Sequence, residues 1–261
     1  MNILVCLKMV SRATYTDMLC ADDASDDRLS GGAIEINPAD AYALETALKL
    51  KDRYGAYVTV LSMSPMLAEP MLRSALAMGA DEAVLVCDRI FAGSDTIATA
   101  KTLSAALKAL PRQDMIFCGS KAIESETGHI GAQLAALNEL RYMGDVLAVN
   151  ELRDGRLCVK HAGKHGAEEY SLVLPAVFSI INGTGMIRSP TIFGLRSSAK
   201  REIRIMTGDT LHLTAEQAGK NASGTETVRI DRLSFAHRHG AYTDDVHDGA
   251  ARLAEMLECA K

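Results

Sequence analysis

Four times between Met1 and Glu139 a short apolar run is followed by a segment with helical spacing, and this alternation is what most restricts the fold. The runs are Asn2–Val10, Tyr57–Met63, Ala83–Cys87 and Met115–Cys118. Each is too short for a helix and apolar at successive positions, as in a strand buried on both faces. Between them, Asn37 followed by Pro38 and Asp40 gives a helix start, and Ala43, Leu44, Ala47, Leu48 and Leu50 recur on one face until Tyr54-Gly55. Pro70–Met78 reads as a second helix, and Ile97, Ala100, Leu103, Leu107 and Leu110 as the stripe of a third. A fourth runs from Ile130 to Leu137. Strands joined through helices by short connections specify an α/β fold with a mostly parallel sheet flanked by helices.

After Leu140 the pattern changes. Val146–Asn150 and Leu152–Val159 enclose Asp154-Gly155, which reads as a hairpin with a tight turn, and further strands are expected at Glu169–Leu174 and Ala176–Ile181. This is an antiparallel extension of the sheet. From Asn182 periodicity is lost, and a basic stretch (Arg188, Arg196, Lys200, Arg201, Arg204) leads into polar chain through Arg229 and a loop at Ala236–Tyr242. Asp244–Cys259 is expected as a last helix with Val246, Ala250, Leu253 and Leu257 on one side. Such a stripe needs cover, either from a partner or from the chain's own sheet. The polar, acidic stretch from Ser11 to Ile36 is long for a connection and is expected to be either functional or mobile.

A net charge of −5 over 261 residues argues against nucleic acid as partner. No stretch has the length of a membrane span and the N-terminus runs straight into a strand pattern, so a cytoplasmic protein without membrane insertion is expected. The six cysteines (Cys6, Cys20, Cys87, Cys118, Cys158, Cys259) form no CxxC pair, which favours free thiols over disulfides or a metal cluster.

Three loops would meet at the carboxyl edge of such a sheet: Lys8–Val10, Asp88–Thr96 and Gly119–Thr127. Their small and hydroxyl residues suit a phosphate approaching backbone amides, so nucleotide binding is expected. Neither GxxxxGK[ST] nor GxGxxG is present, which excludes a P-loop and a dinucleotide fingerprint. There is no GxSxG elbow. Cys118 with His129 reads better as a structural thiol and a surface residue than as a nucleophile and base. Glu124 and Glu126 read as solvated or helix-capping acids rather than an acid/base pair. The pairs His161/His165 and His237/His239 have metal-like spacing but no third ligand. A stand-alone hydrolase or sensor of the same class stays open at this point.

Several of these segments resemble the small (beta) subunit of electron-transfer flavoproteins. Asn37-Pro38-Ala39-Asp40 with Ala43-Leu44-Glu45 is similar to that family's first-helix motif, and Ala75–Asp81 reads ALAMGAD as the family does. Gly119–Gly131 occupies the place of its nucleotide loop, keeping Gly119, Ala122, Ile123 and Gly131. Arg188–Lys200 and the final helix look like its later segments, so the resemblance spans the chain. Ala92–Thr99 with Thr102–Ala106 looks like the electron-bifurcating group of the family. Within the nucleotide loop this chain has Glu124, Ser125, Glu126 and His129 where that group has Asp, Gly, Asp and Gln.

The resemblance implies a heterodimer with an alpha subunit, and electron transfer with an acyl-CoA dehydrogenase. It implies a nucleotide site at Cys6, Lys8, Asn37, Asp40, Met63, Asp95, Thr96, Thr99, Gly119, Lys121, Ala122, Ile123, Ser125, Glu126, Thr127, Gly128 and Gly131. In the bifurcating group that site holds FAD, with NADH as electron donor and a low-potential acceptor such as ferredoxin or flavodoxin; in ordinary members it holds a structural AMP. NADH oxidation would then belong to the assembled complex alone. The expected organisation is a nucleotide-binding domain over residues 1–206 and an arm and helix over 207–261 contacting the alpha subunit. Asn182–Arg188 lies where the family docks its dehydrogenase through a projecting loop, without the family's leucine.

Overall fold

The structure, a computed structural model, describes residues 1–11, 34–183, 185–226, 228 and 243–259. The expectations for the acidic stretch within 12–33, for Cys20 and for the loop at 236–242 with its two histidines lie outside the described residues. Two units are distinguished, Met1–Glu226 and Thr227–Lys261.

In the first unit the strands are β1 (Asn2–Cys6), β2 (Met9–Ser11), β3 (Ile34–Ile36), β4 (Tyr57–Met63), β5 (Glu82–Val86), β6 (Met115–Gly119), β7 (Arg141–Arg153), β8 (Arg156–Gly163), β9 (Gly166–Val173), β10 (Ala176–Ile180) and β11 (Arg204–Met206). Its helices are α1 (Pro38–Tyr54), α2 (Glu69–Met78), α3 (Thr96–Lys108), α4 (Ile130–Leu137) and α5 (Ile192–Ser198). The described residues form a nine-stranded sheet in the order β11-β5-β4-β1-β6-β10-β7-β8-β9. Every pair from β11 to the first half of β7 is parallel, and β7-β8-β9 is antiparallel. The α/β class and the antiparallel extension are therefore as the sequence indicates.

Successive strand residues point to opposite faces, so a strand covered on both sides must be apolar throughout. Ile3 and Val5 pack with Leu44, Leu48, Leu72 and Leu76 of α1 and α2, while Leu4 and Cys6 pack with Leu103, Leu107 and Leu134 of α3 and α4. Full burial of each such side chain contributes about 1.5–3 kcal/mol. Asp154 (φ 50°) and Gly155 (φ 70°) make the hairpin turn with two left-handed residues, the conformation that matches the strand twist.

Three expectations need correction. The run Asn2–Val10 is not one strand. The ladder to β4 ends with the Leu7 amide on Leu61 O, because the next amide, of Lys8, turns to the Asp40 carboxylate. The chain then re-forms as β2, paired antiparallel with β3 in a separate two-stranded sheet. The segment after Asn182 is not wholly irregular: Thr191 caps α5 through the Gly194 amide, and β11 adds a parallel edge to β5. Both elements are too short for periodicity to register. Ile97 is 42% exposed and lies outside the buried stripe of α3.

In the second unit, α6 (Val246–Cys259) begins beside Asp245, whose carboxylate accepts from the His247 and Asp248 amides. Its Val246, Leu253, Met256 and Leu257 are exposed. Among the described residues no helix is long and apolar enough to cross a membrane.

Candidate functional site

From β1 the sheet grows through β4 and β5 in one direction and through β6 and β10 in the other. Open α/β sheets bind ligands outside the carboxyl ends of the strands at such a reversal. The β1–β6 ladder pairs Ile3–Val5 with Met115–Phe117, and beyond it the strand ends need other partners. Asp40, in the first turn of α1 and 6% exposed, supplies them: Oδ2 accepts from the Lys8 amide and Oδ1 from the Gly119 amide, both at 2.7 Å. Burial pushes this carboxyl up to about 6, although the two amides, Asn37 and Lys8 each pull it down. Burial and then the Asp40 charge push Cys6 up to about 12, and burial foremost holds Cys118 well above the thiol range. Both cysteines are protonated at neutral pH and inert as nucleophiles.

Asn37 occupies the cap position of α1 but makes no capping bond. Its side chain reaches across the crevice, donating to Lys121 O at 3.0 Å and accepting from the Ile123 amide at 3.2 Å, so that α1 grips the loop after β6. Glu124 pairs with Lys8 at 3.1 Å and Glu126 with Lys121 at 3.0 Å. The two acids are lysine partners within the site, not caps of α4. The left-handed residue of the loop is Glu126 (φ 49°), next to Ser125, and its amide closes a turn onto Ala122 O. Gly128 (φ 65°) follows, where a Cβ would stand 3.1 Å from Ser120 O. His129 gives α4 no side-chain cap, so the first amides of an eight-residue helix open at the end of this loop. Uncapped helix amides with their dipole are an anion site.

The start of α3 adjoins this helix, Gln133 Nε2 donating to Thr96 Oγ1 at 3.3 Å. Asp95 caps α3 through the Ala98 amide and also accepts from the Gly224 and Thr225 amides and the Thr225 hydroxyl. Burial opposes its ionisation, but these donors together hold it below the usual carboxylate range. The structure thus joins Cys6, Lys8, Asn37, Asp40, Gly119, Lys121, Ala122 and Ile123 around one crevice. Ser125, Glu126, Thr127 and Gly128 form the outer loop, and Gly131 lies in α4 where its missing side chain admits Cys118 and Tyr142. Thr96 and Thr99 stand in the first turn of α3, and Met63 ends β4 half-buried.

Between this loop and β7 lies a cleft of about 600 Å³ lined by Lys121, Glu126, Gly128, Tyr142, Asp145 and Ser179, with the Tyr142 hydroxyl 2.8 Å from Ser179 Oγ. Tyr142 and Asp145 carry no sequence signal, because the first half of β7 is too exposed to show a strand pattern. Among the described residues no cluster of three His, Cys, Asp or Glu side chains is placed to hold a metal. His161 is bound to Gly144 O.

Comparison with known proteins bears on what this arrangement serves. The electron transfer flavoprotein domain family matches residues 30–203. The electron transfer flavoprotein subunit beta of Thermoanaerobacterium thermosaccharolyticum is 35% identical over 259 residues, 98% of each chain. The chain belongs to the electron transfer flavoprotein family. The caffeyl-CoA reductase-Etf complex subunit CarD of Acetobacterium woodii is 34% identical over 88% of this chain and 87% of its own. The acryloyl-CoA reductase electron transfer subunit gamma of Anaerotignum propionicum is 42% identical over 61% of this chain and 64% of its own. In flavoproteins the redox step belongs to the flavin, so a crevice with neutral thiols and lysine-paired acids is compatible with membership of this family.

Proposed function

We propose that this chain is the beta subunit of a heterodimeric electron transfer flavoprotein, with FAD at the crevice between the loop after β6 and the start of α3. Electrons would pass between NADH, an acyl-CoA dehydrogenase and a low-potential acceptor. The observation that carries this is the uncapped start of α4 behind Gly128, next to Thr96 on α3. A Cβ at position 128 would stand 3.1 Å from Ser120 O at a φ of 65°, so glycine is what lets the loop turn here without strain. When bound, the flavin supplies hydride and single-electron chemistry. The amides at the head of α4 would hold its phosphates, the Thr96 and Thr99 hydroxyls would orient it, and Lys8 and Lys121 would offset its charge. The names of two relatives, each a subunit of a CoA-thioester reductase system, support the dehydrogenase partner.

A second reading, with structural AMP in this site, is favoured by Asp95. Its carboxylate is already saturated by Ala98, Gly224 and Thr225, which leaves less of the α3 start for a larger nucleotide. Mass spectrometry of the denatured heterodimer separates the two. Two FAD per heterodimer supports the first reading, and one FAD with one AMP the second. Absence of nucleotide beyond a single FAD would sink both.

We assign the chain from residue 207 onward to contact with the alpha subunit, with the exposed apolar stripe of α6 as its end. Dehydrogenase docking we assign to the segment around Met186. This side chain is 88% exposed, while Arg188 anchors the chain below it on the buried Glu45 (Nε to Oε2, 2.9 Å) and on Asp52 (2.7 Å). Met186→Glu is expected to weaken capture of the acyl-CoA dehydrogenase from the same source about tenfold or more, as loss of an apolar anchor does. Assembly with the alpha subunit should be unchanged. Undiminished capture would place docking elsewhere.

A further inference from the structure

Among the described residues the Asp40 carboxylate bonds both strand ends at the reversal point, and it does so by taking up the two amides that a ligand would otherwise meet there. It therefore forms the crevice without offering it a donor. The groups facing it are Cys6 and Lys8 from the β1 end, Cys118 from β6 and, through its pair with Lys8, Glu124 from the loop. The next acid along α1, Glu45, is bound by Arg188. The cysteines stay protonated well above neutrality, so Lys8 is the counter-charge, and it is shared with Glu124.

Resting on the nucleotide reading above, we propose that Asp40 is the positioning residue of the nucleotide loop: it fastens the ends of β1 and β6 and takes up a proton when an anion occupies the head of α4. The first turn of α4 meets Cys118 at Gly131, and Cys118 faces Asp40, so an anion at that head adds negative charge near a buried carboxylate and disfavours its charged form. By linkage, a nucleotide that makes protonation easier is itself bound more tightly where the proton is available. Because this carboxyl already lies at about 6, against 3.8 for the ordinary group, the response falls near neutrality. The sign for stability agrees. A folded-state value above the unfolded one gives a contribution that is complete below the unfolded value and is lost as pH rises through about 6.

The test is calorimetric titration of the heterodimer, stripped of nucleotide, with AMP and with FAD at pH 6.5 in buffers of different ionisation enthalpy. Wild type should take up about 0.3–0.5 proton more per nucleotide than Asp40→Asn. Reading the difference removes the contribution of the AMP phosphate, which titrates in the same range. Wild-type affinity should also fall about fivefold from pH 6 to 7.5 relative to the variant. Equal proton uptake by both proteins, with nucleotide bound, would overturn the role of Asp40 and leave the nucleotide site standing. If Asp40→Asn does not fold, His129→Gln with FAD decides, since that variant lacks the titratable side chain at the head of α4 and the diphosphate does not titrate here: uptake supports the proposal and none overturns it. If neither nucleotide binds wild type, the nucleotide reading falls and takes this proposal with it.

Discussion

Gly119→Ala is expected to lower the free energy of unfolding by about 3 kcal/mol. A Cβ on Gly119 would collide with Asp40 Oδ1 and would stand 2.6 Å from Ala39 Cβ and 2.8 Å from the Ala39 carbonyl carbon. Ala39 is backbone in the first turn of α1, so relief requires the helix to move off the sheet. That movement would break the bond between Asp40 and the Gly119 amide and leave part of a buried carboxylate without a donor. Gly224→Ala provides the contrast, because its Cβ would meet Ile97 at an ordinary 3.4 Å and should change stability by less than about 0.5 kcal/mol. Urea unfolding of the two variants against wild type measures both. If Gly119→Ala unfolds at the wild-type midpoint, the close approach of α1 to β6 is not as described.

Gly128→Val should reduce the nucleotide released per denatured heterodimer at least about tenfold, a loss of roughly 1.4 kcal/mol or more of binding free energy. Position 128 has φ 65°, which a β-branched residue adopts only at a cost of about 1–2 kcal/mol or more, and its Cβ would press on Ser120 O. The loop would reset, and with it the amides that open at the head of α4. Tyr142→Phe, at the wall of the 600 Å³ cleft formed by β7, should leave nucleotide content unchanged. The reverse pattern, with Tyr142→Phe emptied and Gly128→Val loaded, would move the nucleotide from the head of α4 to the β7 side of that cleft.

Much of this molecule was legible in the order of its residues. Continuous apolar runs separated by helical stripes specify strands covered on both faces. The structure distributes Leu4 and Cys6 to one cluster and Ile3 and Val5 to the other, as such runs require. Asp154-Gly155 specified its turn because few dipeptides accept two left-handed residues. The family's segments placed the loop from Gly119 to Gly131, and the match over residues 30–203 agrees with that family. Local signals of this kind survive because each depends on neighbours in sequence.

What tertiary structure alone decided is how polar groups from distant segments are satisfied. Asn37 stands where a cap is expected, yet its side chain holds Lys121 and Ile123. The run that starts as β1 breaks at Lys8 because a carboxylate 32 residues later claims its amide. Glu124 and Glu126 look like stray acids until Lys8 and Lys121 are brought against them. The short α5 and β11 exist through contacts with α2 and β5 rather than through their own pattern. Hydrophobic periodicity records only whether a position faces the core. The partner of a buried polar group is fixed by the packing of the whole sheet, and that partner is what turns this strand-to-helix loop into a site.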